Sequence, residues 1–242
     1  MKKTLFVMLA AVSSVAFATD FVSGDFTSPE FSTLGTQQNA DGVLGGTSWE
    51  THKFGSKNSI LVFSADGLTV NQNSGNYADW AKTVLYTELT TPVTYEPSVP
   101  YTIAFDLTGG NGQRAFALAS DTYSVVIGIA YDGSLCVASM ESDFFSAYNT
   151  VTGHDDLPGG GDGAVSLSSC QLVLTGNQLA VTLGDFTGTY TLADNYTFTK
   201  AGFSVDGNAT VTTKGLSITP EPATATLSLL ALAGLAARRR RH

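Results

Sequence analysis

The densest polar cluster in this chain is His154-Asp155-Asp156-Leu157-Pro158-Gly159-Gly160-Gly161-Asp162-Gly163. Carboxylates on a glycine-rich loop can gather oxygen ligands around calcium, so Asp155, Asp156 and Asp162 are the candidate metal ligands. The spacing is not that of an EF-hand, and acidic glycine-rich segments also serve as solvated connections, so both readings stand. The other chemistry-bearing residues are scattered. Glu30, Glu50, Glu88, Glu96 and Glu141 are isolated from one another, and no G-x-S-x-G elbow, H-E-x-x-H pair, phosphate loop or Cys-x-x-Cys occurs. No catalytic residue is assigned. Flat aromatic faces with a polar tip can hold a sugar ring, and Trp49, Tyr77, Trp80 and Tyr148 are of that kind. The polar and aromatic segment 71–80 reads as an exposed loop, which makes Tyr77 and Trp80 the candidate glycan contacts. The same side chains serve equally well as packing.

The two ends of the chain carry address signals. Lys2 and Lys3, an apolar run over 5–12 and the small-x-small site Ala16-Phe17-Ala18 have the grammar of a secretory signal peptide, cut after Ala18 once the Sec export machinery has engaged it. At the other end, Pro220-Glu221-Pro222 precedes an apolar run over 223–237 and then Arg238, Arg239, Arg240 and Arg241. At about 1.5 Å per residue that run spans roughly 22 Å of about 30 Å of hydrocarbon, a short transmembrane segment helped by snorkelling arginines. The arginines keep its basic end cytoplasmic. The two prolines hold the backbone extended just before the span, which offers a peptidase a non-helical substrate.

The tail from Pro220 to Arg238 resembles the bacterial PEP-CTERM sorting signal throughout. That resemblance implies an exosortase, a multi-span membrane cysteine peptidase, as partner; it would recognise Pro220, Glu221 and Pro222 and remove the tail during export, commonly alongside exopolysaccharide production. The expected organisation is a signal peptide (1–18), one domain (19–219, less regular up to about 58) and a sorting signal (220–242). The expected location is the cell envelope, surface or exterior, after transient anchoring in the inner membrane.

Of the chain's 12 basic residues, Lys2, Lys3 and the four terminal arginines belong to these signals; of its 21 acidic residues, only Glu221 does. The body therefore holds six cations against twenty carboxylates, a net charge near −14. Such a surface disfavours nucleic acid and anionic lipid as partners and leaves neutral glycans and divalent cations compatible.

The body must position whatever site it has on strands. Segments 60–64, 67–72, 83–90, 99–108, 113–119, 123–131, 134–140, 171–175, 178–183, 188–193, 196–205 and 210–218 are rich in Val, Ile, Thr, Tyr and Phe and are separated by Gly, Asp and Asn. Helical periodicity is absent. The spacing predicts an all-β fold, an antiparallel β-sandwich or barrel.

Asp132-Gly133 reads as a two-residue type I′ hairpin turn, which pairs Ile129 with Cys136 and turns Cys136 inward with Val125, Ile127 and Ile129. Gly176-Asn177 likewise pairs Leu174 with Leu179, Leu172 with Val181 and Cys170 with Leu183. Two inward cysteines in an exported chain admit a Cys136–Cys170 disulfide, worth about 4 kcal/mol on the chain-entropy model. Two buried reduced thiols are the other reading.

Over residues 60–218 the body resembles the concanavalin A-like, laminin-G-type jelly roll. The resemblance rests on Pro100-Tyr101-Thr102-Ile103-Ala104-Phe105-Asp106-Leu107, on Ile127-Gly128-Ile129 with its Asp132-Gly133 turn, and on Leu172-Val173-Leu174-Thr175-Gly176-Asn177-Gln178-Leu179. Retaining hydrolases of that superfamily carry an E-x-D-x-x-E strand whose two glutamates share a face, and no such string occurs here. The expectation is a non-enzymatic surface or matrix protein with glycan or matrix binding; a diverged jelly-roll glycoside hydrolase and a purely structural matrix component are the alternatives.

Overall fold

A computed structural model describes residues 22–55, 58–73, 81–97, 99–109, 114–129, 135–141, 167–193, 195–206 and 210–221. The chain first forms β1 (Val22–Asp25), α1 (Pro29–Ser32), β2 (Thr36–Gln38), β3 (Gly42–Val43), β4 (Trp49–Gly55), β5 (Asn58–Ser64) and β6 (Gly67–Asn73). It continues through β7 (Ala81–Thr94), β8 (Tyr101–Phe105), β9 (Arg114–Ala119), β10 (Ser124–Ile129) and β11 (Leu135–Met140). The remainder is β12 (Cys170–Thr175), β13 (Gln178–Leu183), β14 (Phe186–Thr191), β15 (Thr197–Asp206), β16 (Thr210–Thr213) and β17 (Gly215–Pro220).

Every pairing between these strands is antiparallel. One sheet runs β1-β17-β8-β12-β13-β14 and a second runs β11-β10-β9-β15-β7-β4-β3. A smaller sheet, β16-β6-β5-β2, joins them. Alternation explains the packing: Tyr101, Ile103 and Phe105 of β8, Leu172 and Leu174 of β12, and Leu216 and Ile218 of β17 are buried, while the residues between them face outward. Phe105 stacks on Phe116 of the opposing sheet at 4.5 Å between ring centroids, so the two large sheets close on one core. This is the antiparallel β-sandwich expected from the sequence.

The segment before residue 58, where the sequence shows no sustained alternation, supplies a large part of that core. Trp49 of β4 is 1 % exposed; it meets Phe26 edge-on at 4.8 Å and stacks on Phe203 at 6.3 Å. Gly24 of β1 lies under the same indole, where a β-carbon would come within 2.5 Å of the ring. Trp49 is thus a core side chain and not a sugar platform, because Gly24 of β1 and the rings of Phe26 and Phe203 cover it.

The Gly176-Asn177 hairpin has the expected register, with Leu174 opposite Leu179, Leu172 opposite Val181 and Cys170 opposite Leu183. Gly176 has φ 55°, the positive value the first central residue of a II′ turn requires. The other hairpin departs from expectation: Ile129 pairs with Leu135 and Gly128 with Cys136. Five residues instead of two separate the strands, and a slip of one residue exchanges the two faces of a strand. Leu135 and Val137 take the buried positions. The expected continuous strand over 210–218 also breaks, at Lys214, where the chain passes from the small sheet into the six-stranded one.

Candidate functional site

The outward positions of the six-stranded sheet form a face of unusual chemistry. Ladder register sets Ser217, Ala104, Gln171, Thr182 and Thr187 side by side across β17, β8, β12, β13 and β14. The next row is Thr219, Thr102, Val173, Ala180 and Thr189. Neither row holds an ionisable or aromatic side chain. With strands about 4.8 Å apart, five of them present a strip roughly 20 Å wide, carrying hydroxyl, amide and small apolar groups.

The first row runs into a cleft of about 690 Å³ at the end of β8 and the start of β17, lined by Ala104, Ser217, Asp25, Asp106, Ser169 and Cys170 among others. Asp106 follows directly on β8 and brackets the entry to β17. The Lys214 N–H donates to Asp106 Oδ1 at 2.9 Å and the Thr213 hydroxyl at 3.4 Å, and the Gly215 N–H donates to the Thr213 hydroxyl oxygen at 3.2 Å. Burial pushes the Asp106 carboxyl up, against the lowering influence of these donors and of the Lys214 charge. Asp25, on the opposite lip, is shifted the other way. The Thr27 hydroxyl and amide donate to its Oδ1 at 2.5 and 2.9 Å, which holds this exposed carboxyl below its ordinary range. The two acids share a cleft in unlike environments.

Cys170, at the floor, is buried and free. The expected Ile129–Cys136 pairing, on which the inward reading of Cys136 rested, is replaced by Gly128–Cys136, and the side chain of Cys136 lies outside the described ones. Burial, reinforced by the Asp106 charge, pushes the Cys170 thiol up to about 12, so it stays protonated through neutral pH. Native protein at pH 8 is expected to leave Cys170 unalkylated, and unfolding without reductant to expose it fully. Peptide mapping by mass spectrometry checks this; a 136–170 cross-linked peptide in the unreduced digest would overturn it.

Of the candidate residues named from the sequence, Ala16, Ala18, Tyr77, Trp80, Tyr148, Asp155, Asp156, Asp162, Pro222 and Arg238 to Arg241 lie outside the described residues. Among the described residues no group of three or more His, Cys, Asp or Glu is placed to hold a metal ion, and no helix is long and apolar enough to cross a membrane. Pro220 and Glu221 are placed. Pro220 ends β17 opposite Tyr101, the Glu221 N–H donates to Pro100 O at 2.7 Å, and the Thr102 hydroxyl donates to Glu221 Oε1. Sequence reasoning missed Asp25 and Asp106. The hydroxyl face had a legible signal in Thr187-x-Thr189-x-Thr191, whereas Asp106 finds its amide partner 108 residues away.

No protein-family model matches the chain, and no curated protein matches it. Among solved structures it is similar to a Bacillus subtilis protein of unknown function with a galectin-like fold, at 10 % identity and TM-score 0.48 over 84 % of this chain and 98 % of that one. It is also similar to the Emp47p carbohydrate recognition domain, at 12 % identity and TM-score 0.41 over 79 % and 97 %. A third is the alginate lyase AlgAT5 of Polysaccharide Lyase family 7, at 13 % identity and TM-score 0.39 over 77 % and 78 %.

Proposed function

We propose that this chain is a non-enzymatic surface or matrix protein, exported by the Sec machinery and processed by an exosortase, whose six-stranded sheet holds a neutral polysaccharide. The observation that carries the binding reading is the two hydroxyl-bearing ladder rows, which hold no ionisable side chain and are bordered by the Glu221 carboxylate at Thr102, on a body whose formal charge is near −14. A sugar chain presents hydroxyls that both donate and accept, and Ser, Thr and Gln side chains answer both roles. A neutral polymer brings no charge to desolvate, whereas an anionic one is repelled by the surrounding carboxylates. Asp25 and Asp106 at the end of the strip add acceptors for sugar hydroxyls. Single-site affinity on so shallow a face is weak, and many copies at a surface make up the rest.

The test is a panel of neutral and anionic polysaccharides read by affinity electrophoresis, with parent protein and Ala104→Glu. The charge placed in the middle of the strip is expected to weaken binding by about tenfold or more, the effect of leaving a charge unpaired against a ligand. Equal binding by the two proteins would remove this face as the site. Running the panel with a chelator tests the calcium reading of Asp155, Asp156 and Asp162, and chelator-insensitive binding would remove it.

A second reading, carboxylate catalysis, is favoured by Asp25 and Asp106 lining one cleft with pKa values moved in opposite directions, the pattern of paired acid and base. Against it, the Asp106 carboxylate already accepts from the Lys214 amide and the Thr213 hydroxyl. Reducing-end release from the same panel, abolished in Asp106→Asn, would establish hydrolysis; no release from any substrate is the expected result.

A further inference from the structure

The residues that the proposed sorting route must present to a peptidase are built into the sandwich. Pro220 is the last residue of β17, in register with Tyr101, and Thr219 before it is in register with Thr102. Glu221 continues the attachment through two hydrogen bonds, its N–H to Pro100 O at 2.7 Å and its carboxylate to the Thr102 hydroxyl. Because the Glu221 N–H points at β8, the nitrogen of Pro220 points away from it, and a residue lacking an N–H is tolerated there. In the sequence only Pro222 separates this docked pair from the apolar run that begins at Ala223.

A peptidase active site binds its substrate extended, with main-chain groups free to pair with the enzyme, and the N–H of Glu221 is taken by the Pro100 carbonyl at the start of β8. We infer that the Pro220-Glu221 segment is a latch: in the folded body it is withheld from the membrane peptidase, and it becomes a substrate only while undocked from β8. Thr102 and the Pro100 carbonyl are then positioning groups that set the undocked fraction. This rests on the sorting route proposed above. The peptidase breaks one peptide bond of the tail, water supplying the hydroxyl of the new carboxyl terminus and a proton to the released amine. The latch changes only how often that bond is offered. The first strand strengthens the device, since β1 pairs with β17 from Val22 opposite Ile218 to Asp25 opposite Gly215. The two ends of the body thus close on each other, and docking of the latch requires that the C-terminal strand has already crossed.

The experiment follows tail removal from the full chain in its exporting host, by pulse-chase and mass spectrometry of the mature C-terminus. Thr102→Val deletes the hydroxyl bonded to Glu221 at nearly constant volume, and should raise the initial processing rate roughly threefold to tenfold, the equilibrium effect of one such hydrogen bond. The opposing variant is the pair Thr102→Cys with Thr219→Cys, facing positions on β8 and β17. Oxidised, it should keep its tail; reduced, it should be processed at least as fast as the parent. Processing of the oxidised pair at the parent rate, or an unchanged rate in Thr102→Val, overturns the latch. Replacement of Pro220, Glu221 and Pro222 together by alanine reports on the route separately. If that variant shows the parent's mature C-terminus, the sorting reading itself is wrong; if it keeps its tail while the cross-linked pair is processed normally, only the latch fails.

Discussion

Truncation of Phe203 to alanine is expected to lower the unfolding free energy by about 3 to 5 kcal/mol, the range for removing a buried aromatic ring. Phe203 sits on β15 near the middle of the core, with ring centroids 5.9 Å from Phe116, 6.1 Å from Phe105, 6.3 Å from Trp49 and 6.4 Å from Phe26. These partners come from both large sheets and from the segment after β1, so the cavity would border three structural units that cannot collapse together. For a body of about 200 residues each kcal/mol corresponds to roughly 2 to 4 °C, giving a fall in melting temperature of roughly 6 to 20 °C. Val43→Ala provides the control, since Val43 is 64 % exposed and its removal should change stability by less than about 0.5 kcal/mol. Calorimetry decides the matter; equal melting temperatures for the two variants would show that Phe203 does not organise the core.

Gly215→Val is expected to open the sandwich at one edge. Gly215 has φ 152°, and a β-carbon built on it would lie 1.9 Å from the carbonyl oxygen of Gly24. Backbone on β1 cannot yield by rotating a side chain, so β1 must leave β17. That departure breaks the pairings of Asp25 with Gly215 and Gly24 with Leu216, and the 2.9 Å bond from the Phe26 N–H to the Lys214 carbonyl. It also withdraws Asp25 from the cleft. The expected result is a loss of several kcal/mol together with selective protease nicking in the segment 22–28, and loss of polysaccharide binding. Phe203→Ala, by contrast, should lower the melting temperature without a selective nick. Limited proteolysis with mass spectrometry of the first fragments separates the two, and a parent-like digestion pattern for Gly215→Val would show that the close approach of β1 and β17 is dispensable.

Both effects bear on function because the hydroxyl face and the cleft have no rigidity of their own. Ala104 and Ser217 hold their outward positions because Ile103, Phe105, Leu216 and Ile218 beside them are buried. The face is the reverse side of a packed core, and a cavity under it or a detached edge strand should be felt as weaker binding.

Strand identity was legible wherever the information is local. Alternating Leu172-x-Leu174 and Leu179-x-Val181-x-Leu183 determined which side of that hairpin is buried, and the two-residue turn between them determined its register, because contacts a few residues apart suffice. The charge near −14, the lack of any paired-carboxylate string and the grammar of both termini are likewise properties of the sequence alone. What only the tertiary structure decided depends on partners that no local pattern announces. Cys136 faces Gly128 because a five-residue connection moved the strand by one position. Trp49 is core because Gly24 and Phe203, from distant strands, close over its indole. Asp106 became the bracket of a cleft because the chain entering β17 delivers the Lys214 amide and the Thr213 hydroxyl to it from more than a hundred residues away. Periodicity encodes which face of a strand is apolar; which strand lies next to it is set by the competition of all strands for one core.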